Sequence, residues 1–406
     1  MPIRTARRLV TVSALAVAAA LAAVAALFAP APSAQAAAVG LEKVANFGAN
    51  PGALNMYVYR PAELPANAPV VVALHGCTQD AQTYADNSGL TTFADRHKFL
   101  LVFGETTSSN NISKCFNWFQ ATDNRRGQGE AASIRQMVAH AVSAYGGDAS
   151  RAYVTGLSAG GAMTSVMLAT YPDVFKAGAV IAGLPYDCTK DSGAYTCMDP
   201  GVDRTPAEWA KRVTDAYPGH TGPWPRVAIW HGDSDPTVKP KNADELRDQW
   251  TAVHGLDQSP DRTSTIGSDN TRREQYLAAD GSVAVEVDRV PGIGHGTPVD
   301  PGPGAQQCGQ AGAYFLDSIC SSYYVTEFFG LTGSTPDPGG TPTPDPVACW
   351  TASNYAQVTA GRATTSGGYV YAKGSNEKMG LYNMAVTHTL KESPAGYYVI
   401  ADGSCS

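Results

Sequence analysis

Arg151-Ala-Tyr-Val-Thr-Gly-Leu-Ser-Ala-Gly-Gly-Ala-Met163 decides the fold of this chain. The stretch begins as a β-favouring run, passes through Gly156-x-Ser158-x-Gly160, and continues into residues 162–169, whose composition suits a helix. Strand, tight turn and helix follow one another without a break. A side chain on such a turn is lifted clear of the sheet, and the glycines at 156 and 160 let strand and helix close tightly around it. Ser158 is therefore the candidate nucleophile. Gly and Ser also populate ordinary turns, so the reading depends on the flanking strand and helix.

Working outward, residues 68–74 form a continuous apolar run ending in His75-Gly76-Cys77, and residues 99–103 form another. Residues 152–155, 178–182 and 226–230 continue the series, preceded by an alternating segment at 55–61. Unbroken apolar runs suit strands buried on both faces of a parallel sheet. Helical segments fall between them, at 130–145 and 207–217. The alternation implies an α/β fold with a mostly parallel central sheet, in which ligands bind beyond the carboxyl ends of the strands.

The two ends of the chain read differently. Residues 1–36 hold Arg4, Arg7 and Arg8, then an apolar run at 9–28, then Ala34-Gln35-Ala36, the pattern of a cleaved secretory signal. The alternative is a retained anchor, since the run is nearly long enough to span a bilayer. Adjacent Arg7 and Arg8 suggest twin-arginine export without deciding the route. Residues 37–331 make one large domain. Residues 332–346, rich in Pro, Thr and Gly, hold no apolar side chain that could join a core and read as an extended linker. Residues 347–406 form a module too small for a large core.

Loss of residues 1–36 removes three arginines and no acid, taking the formal charge from −7 to about −10. So acidic a chain lacks the basic face that nucleic acid or an anionic surface requires, and a neutral partner is expected. The mature protein is expected to be a secreted, extracellular monomer with no membrane segment. Its eight cysteines read as disulfides in that compartment. Spacing suggests Cys188 with Cys197, Cys308 with Cys320, and Cys349 with Cys405 as a staple around the small module. Cys77 and Cys115 are left to pair. A zinc site is the rival, but no Cys-x-x-Cys pair or His cluster supports it.

A serine nucleophile needs a base, an acid to orient it, and two N–H donors for the oxyanion. After the strand at 226–230 comes His231-Gly-Asp-Ser-Asp-Pro-Thr-Val238, where Asp235 is preferred over Asp233 because it sits far enough into the loop to turn back. After an alternating strand at 283–290 comes Gly292-Ile-Gly-His295-Gly-Thr-Pro298, whose glycines free His295 to reach Ser158 as general base. The order Ser, acid, His is that of α/β-hydrolases, and it assigns the oxyanion donors to the N–H groups of Ala159 and Cys77. The Cys77 thiol itself reads as structural. This chemistry needs no metal and no organic cofactor.

Together, Leu74-His-Gly-Cys-Thr-Gln79, Cys115-Phe-Asn-Trp-Phe119, Arg126-Gly-Gln-Gly-Glu-Ala-Ala-Ser-Ile134, the Ser158 box, the Asp235 loop and Gly294-His-Gly296 resemble the extracellular poly(3-hydroxybutyrate) depolymerase family. That family consists of α/β-hydrolases close to the feruloyl and acetylxylan esterases. The resemblance covers roughly residues 40–330. It implies that Ser158, Asp235 and His295 are the triad and that Cys77 and Cys115 are bridged near the site. Trp118 then lines an acyl pocket or packs beneath the bridge, while Arg126 and Glu130 hold the framework.

The tail carries a second resemblance. Ser353-Asn-Tyr-Ala-Gln-Val-Thr-Ala-Gly-Arg-Ala363, Gly368-Tyr-Val-Tyr-Ala-Lys-Gly-Ser375 and Met379-Gly-Leu-Tyr-Asn383 look like the family's small, β-rich substrate-binding domain. It implies that Tyr355, Tyr369, Tyr371 and Tyr382 bind an insoluble polymer, where amphipathic rings suit a surface of methyl and carbonyl groups. The same tyrosines could instead form the module's own core. The resemblance leads to a serine esterase acting on polyester. Feruloyl or acetyl esters on plant xylan are the alternative substrate, and a non-catalytic binding protein on the same scaffold is the alternative class.

Overall fold

The computed structural model describes residues 39–332, 349–392 and 398–403. The signal at 1–36, the linker from residue 333 onward and Cys405, hence the Cys349 to Cys405 staple, lie outside the described residues.

In chain order the large domain runs β1 (Glu42–Val44), β2 (Asn55–Tyr59), β3 (Ala68–Leu74), α1 (Ala81–Ser88), α2 (Leu90–His97), β4 (Leu100–Glu105), α3 (Gly129–Tyr145) and β5 (Gly147–Leu157). It continues with α4 (Ala159–Thr170), β6 (Phe175–Ile181), α5 (Ala194–Met198), α6 (Pro206–Ala216), β7 (Arg226–Gly232) and α7 (Lys241–Val253). Then come β8 (Arg262–Ile266), β9 (Thr271–Leu277), β10 (Val283–Val290), β11 (Thr297–Val299), β12 (Phe315–Asp317) and α8 (Ser321–Phe328). Ten strands form one sheet in the order β1-β2-β4-β3-β5-β6-β7-β10-β9-β8. From β4 to β10 every neighbouring pair is parallel, and antiparallel strands close each edge.

The apolar runs become central strands because helices cover both faces. Along β3, Val70, Val72 and Leu74 enter the core layer under α3, α4, α6 and α7, while Val71 and Ala73 enter the layer under α1, α2 and α8. This is the two-residue period of a strand with two buried faces. Every residue of α4 is buried, and its Thr164 and Thr170 hydroxyls donate to the helix's own carbonyls at Gly160 and Val166. Helix α6 starts at Pro206, one residue before the start expected from sequence, because Thr205 and Glu208 form a capping box around its first turn. Strands β8 and β9 carry no strand pattern in the sequence. Their residues are mostly polar, and Arg273 of β9 is matched by buried acids, Asp288 and Glu286, on β10.

Beyond residue 348 the small module contains β13 (Cys349–Ser353), α9 (Asn354–Thr359), β14 (Ala363–Ser366), β15 (Tyr369–Ala372), β16 (Lys378–Leu381), β17 (Thr387–Glu392) and β18 (Tyr398–Ile400). They form two three-stranded antiparallel sheets around Ala363, Val370, Ala372, Met379 and Leu390. Among the described residues no helix is long and apolar enough to cross a membrane.

Candidate active site

Because β3, β5, β7 and β10 run parallel, the segments leaving their carboxyl ends meet at one edge of the sheet. These segments carry Cys77, Ser158, Asp235 and His295.

Ser158 joins β5 to α4 with φ 56° and ψ −115°, a conformation rare for any residue with a side chain. Its N–H donates to Ile181 O at 2.9 Å, and its carbonyl accepts from Ala162 N at 2.8 Å. Those bonds hold a backbone that costs about 1–3 kcal/mol. The turn fits only because Gly160 lies against the Leu74 and His75 carbonyls, where a Cβ would collide with backbone.

The three side chains form a hydrogen-bonded chain. Ser158 Oγ donates to His295 Nε2 at 2.8 Å, and His295 Nδ1 donates to Asp235 Oδ2 at 2.7 Å. Asp235 is buried, and its Oδ1 accepts from the N–H groups of Thr237 at 2.8 Å and Val238 at 2.9 Å. Burial works to raise its pKa, but the hydrogen bond and charge of His295 together with Val238 N–H hold the carboxyl below its usual value. Asp233 instead ties two loops together, accepting from Gly292 N at 2.7 Å. Behind Asp235, buried His231 places Nε2 2.8 Å from Val238 O and 3.5 Å from Asp235 Oδ2. Burial pushes the His231 pKa down, so it braces the loop as a neutral ring.

The loop after β3 is pinned on every side. Gly76 N donates to Gln79 Oε1 at 2.8 Å and Thr78 N to Ser113 O at 2.7 Å. His75 Nδ1 donates to Gly76 O at 2.7 Å, while its Nε2 accepts from Thr106 N at 3.2 Å, which fixes its tautomer. Cys77 N–H, between these anchors, has no acceptor among the described residues. Ala159 N–H is one of the donors that a helix's first turn leaves without an intrahelical partner. The Cys77–Cys115 disulfide binds this loop to the segment at 106–128.

That segment rests on Glu130, fully buried, whose carboxyl accepts from Asn117 N at 2.6 Å and Asn117 Nδ2 at 3.2 Å. Burial pushes its pKa up to about 8, against the opposing Asn117 N–H. Trp118 is 7% exposed and packs edge-on against Phe119 within the core. Arg126 pairs with both oxygens of Asp173 and lies 3.9 Å from the Tyr217 ring centroid, a framework contact. Cys188–Cys197 and Cys308–Cys320 are also bridged. Among the described residues no group of three or more His, Cys, Asp or Glu could hold a metal ion.

Nothing in the sequence gives His75 and Gln79 a role, although both stand inside the motif around Cys77. It also passed over Tyr314, which the fold sets beside His295. In the small module Tyr355, Tyr369 and Tyr382 are exposed, Tyr371 is half-buried, and none of the four belongs to the core.

Residues 53–275 match the family model described as Esterase PHB depolymerase. The poly(3-hydroxyalkanoate) depolymerase C of Paucimonas lemoignei is 53% identical over 295 residues, spanning 72% of this chain and 70% of its own. The feruloyl esterase B of Talaromyces stipitatus is 36% identical over 271 residues, spanning 65% and 74%. Among solved structures, the acetyl xylan esterase from Aspergillus awamori superimposes with a TM-score of 0.60 at 30% identity, covering 72% of this chain and 99% of its own. The chain therefore belongs to the PHB depolymerase family of esterases and is a carboxylic ester hydrolase of α/β-hydrolase fold.

Proposed function

We propose that this protein is a secreted serine esterase that depolymerises an aliphatic polyester of the poly(3-hydroxybutyrate) type. Ser158 Oγ attacks the ester carbonyl as His295 Nε2 takes its proton, and Asp235 holds the imidazolium in place. The oxyanion is held by the Cys77 and Ala159 N–H groups, each donor of this kind being worth about 3–4 kcal/mol. His295 returns the proton to the leaving alkoxy oxygen and the chain alcohol departs. Water, deprotonated by His295, then releases the 3-hydroxyacyl product and restores Ser158.

The substrate choice is carried by one observation: identity to the Paucimonas depolymerase is 53%, against 36% to the Talaromyces feruloyl esterase. Secretion is supported by the leader composition of residues 1–36 and by three disulfides, which persist in oxidising compartments. Residues 347–406 act as the polymer anchor, an assignment supported by the exposed tyrosines.

The test is clearing of a poly(3-hydroxybutyrate) granule suspension by protein lacking residues 1–36. Ser158→Ala is expected to abolish clearing, with esterase activity down by about 10⁴–10⁶. Hydrolysis of a small chromogenic ester without clearing of granules would move the substrate to plant-wall esters. Equal activity in the Ser158→Ala variant and the parent protein would refute the serine mechanism.

A further inference from the structure

Tyr314 holds a backbone conformation that its side chain disfavours. Its φ is 65°, in the left-handed region where a bulky residue is an outlier. Such strain persists only where the surroundings over-determine it, and it concentrates at ligand sites. Here the surroundings are explicit. Gly312 and Phe315 exchange both backbone hydrogen bonds around it, at 2.9 and 3.0 Å, and Tyr314 O accepts from Thr297 N at 2.8 Å. Parallel pairing of β11 with β12 sets Thr297 opposite Phe315, which brings Tyr314 alongside the His295 loop. The Cys308–Cys320 bridge closes the segment.

The consequence is a ring with a defined place. Its centroid is 6.3 Å from that of His295, nearly perpendicular at 79°, and the residue is still 45% exposed. A tyrosine kept open to solvent, in a strained backbone, against the general base is not serving the core.

The reaction geometry says which part of the substrate meets it. Of the groups on the ester carbonyl carbon, the carbonyl oxygen is claimed by the Cys77 and Ala159 amides. The alkoxy oxygen must face His295 Nε2 to receive its proton. The chain that oxygen bears therefore leaves past His295, beside which the Tyr314 ring stands. We propose that Tyr314 is a specificity-determining residue for the leaving-alcohol side of the site, selecting an extended hydroxyester chain over a small alcohol. Its ring offers an apolar wall to methyl and methylene groups, and its hydroxyl a donor to the next ester carbonyl. This inference rests on the serine-esterase reading and adds to it the subsite that recognises the departing chain.

The experiment compares two butyryl esters, one of ethanol and one of methyl 3-hydroxybutyrate, so that only the leaving alcohol differs. The parent protein is expected to favour the hydroxyester alcohol in kcat/KM. Tyr314→Ala should lose about 10-fold of that preference through KM, and Tyr314→Phe should retain the apolar part of it. Tyr314→Gly suits the left-handed backbone, so it should fold at least as stably as the parent and show the same loss as Tyr314→Ala. Ala and Gly variants with undiminished preference, or with both esters slowed equally, would overturn the inference. Phosphonate labelling of Ser158 separates the two levels. A labelled parent with unchanged variants defeats this inference alone, and an unlabelled parent defeats the serine mechanism and this inference together.

Discussion

Glu130 is a carboxyl with no exposed surface and, among the described residues, no cation in contact, so its charge rather than its shape is the liability. Its pKa in the folded protein is about 8, against an ordinary 4.5. Between those values the folded state binds a proton that the unfolded state has released, so the stabilising contribution is complete below about pH 4.5 and is lost as pH rises towards 8. Glu130→Gln mimics the protonated form and is indifferent to pH. Its Tm relative to the parent should therefore climb from pH 5 to pH 8, and a difference independent of pH would disprove the neutral carboxyl. Neither the burial nor the proton could be read from the sequence, where Glu130 is one acid in a helical segment. Ser158, Asp235 and His295 were legible, because loop position and chain order single them out before any contact is known. Tyr314 was not, since Gly312-Ala-Tyr314 carries no pattern and the ring's meaning comes only from a pairing with β11.

At the scale of elements, the junction of β5 with α4 depends on how closely the helix can approach β3. A Cβ at Gly160 would meet the Leu74 and His75 carbonyls, both backbone atoms that cannot swing aside. Gly160→Ala should thus destabilise by about 1–3 kcal/mol and tilt α4, displacing Ala159 N–H. Thermal unfolding should show the loss, and on the proposed role of this donor at the oxyanion kcat should fall more than KM changes. A variant with parent-like Tm and kcat would mean the contact is slack. The glycine was visible in the sequence and so were the central strands, whose unbroken apolar runs demand burial on both faces. The β8 and β9 ribbon was invisible for the converse reason. Strand β9 lies between β10 and β8 with four of its seven residues buried, yet Thr271-Arg-Arg-Glu-Gln-Tyr-Leu277 satisfies its charges through partners on β10 rather than by hydrophobic pattern.

On the scale of the whole molecule, the proposed catalytic site and the proposed polymer anchor make different physical demands. Chemistry needs a closed constellation, which the sheet edge supplies. Adsorption would need amphipathic area, and the described residues of the small module bury a core cluster of only five apolar side chains. On β15, Val370 and Ala372 face inward, so Tyr369 and Tyr371 face outward, with Leu381 paired beside Tyr369. Tyr355 and Tyr382 pack ring to ring at 5.6 Å, and Leu381 and Met384 are 52% and 77% exposed. These exposed apolar side chains are the surface on which the proposed polymer contact rests. Replacing Tyr382 and Leu381 together by Ser should leave the module folded, since neither is in its core, and should weaken binding to polyester granules by about 10-fold or more. Kinetics on a soluble ester should not change, because no triad or oxyanion residue is touched. Undiminished adsorption in a granule pull-down would place the anchor elsewhere. Equal loss of adsorption and of soluble-ester activity would mean that the module supports the catalytic domain rather than the polymer contact.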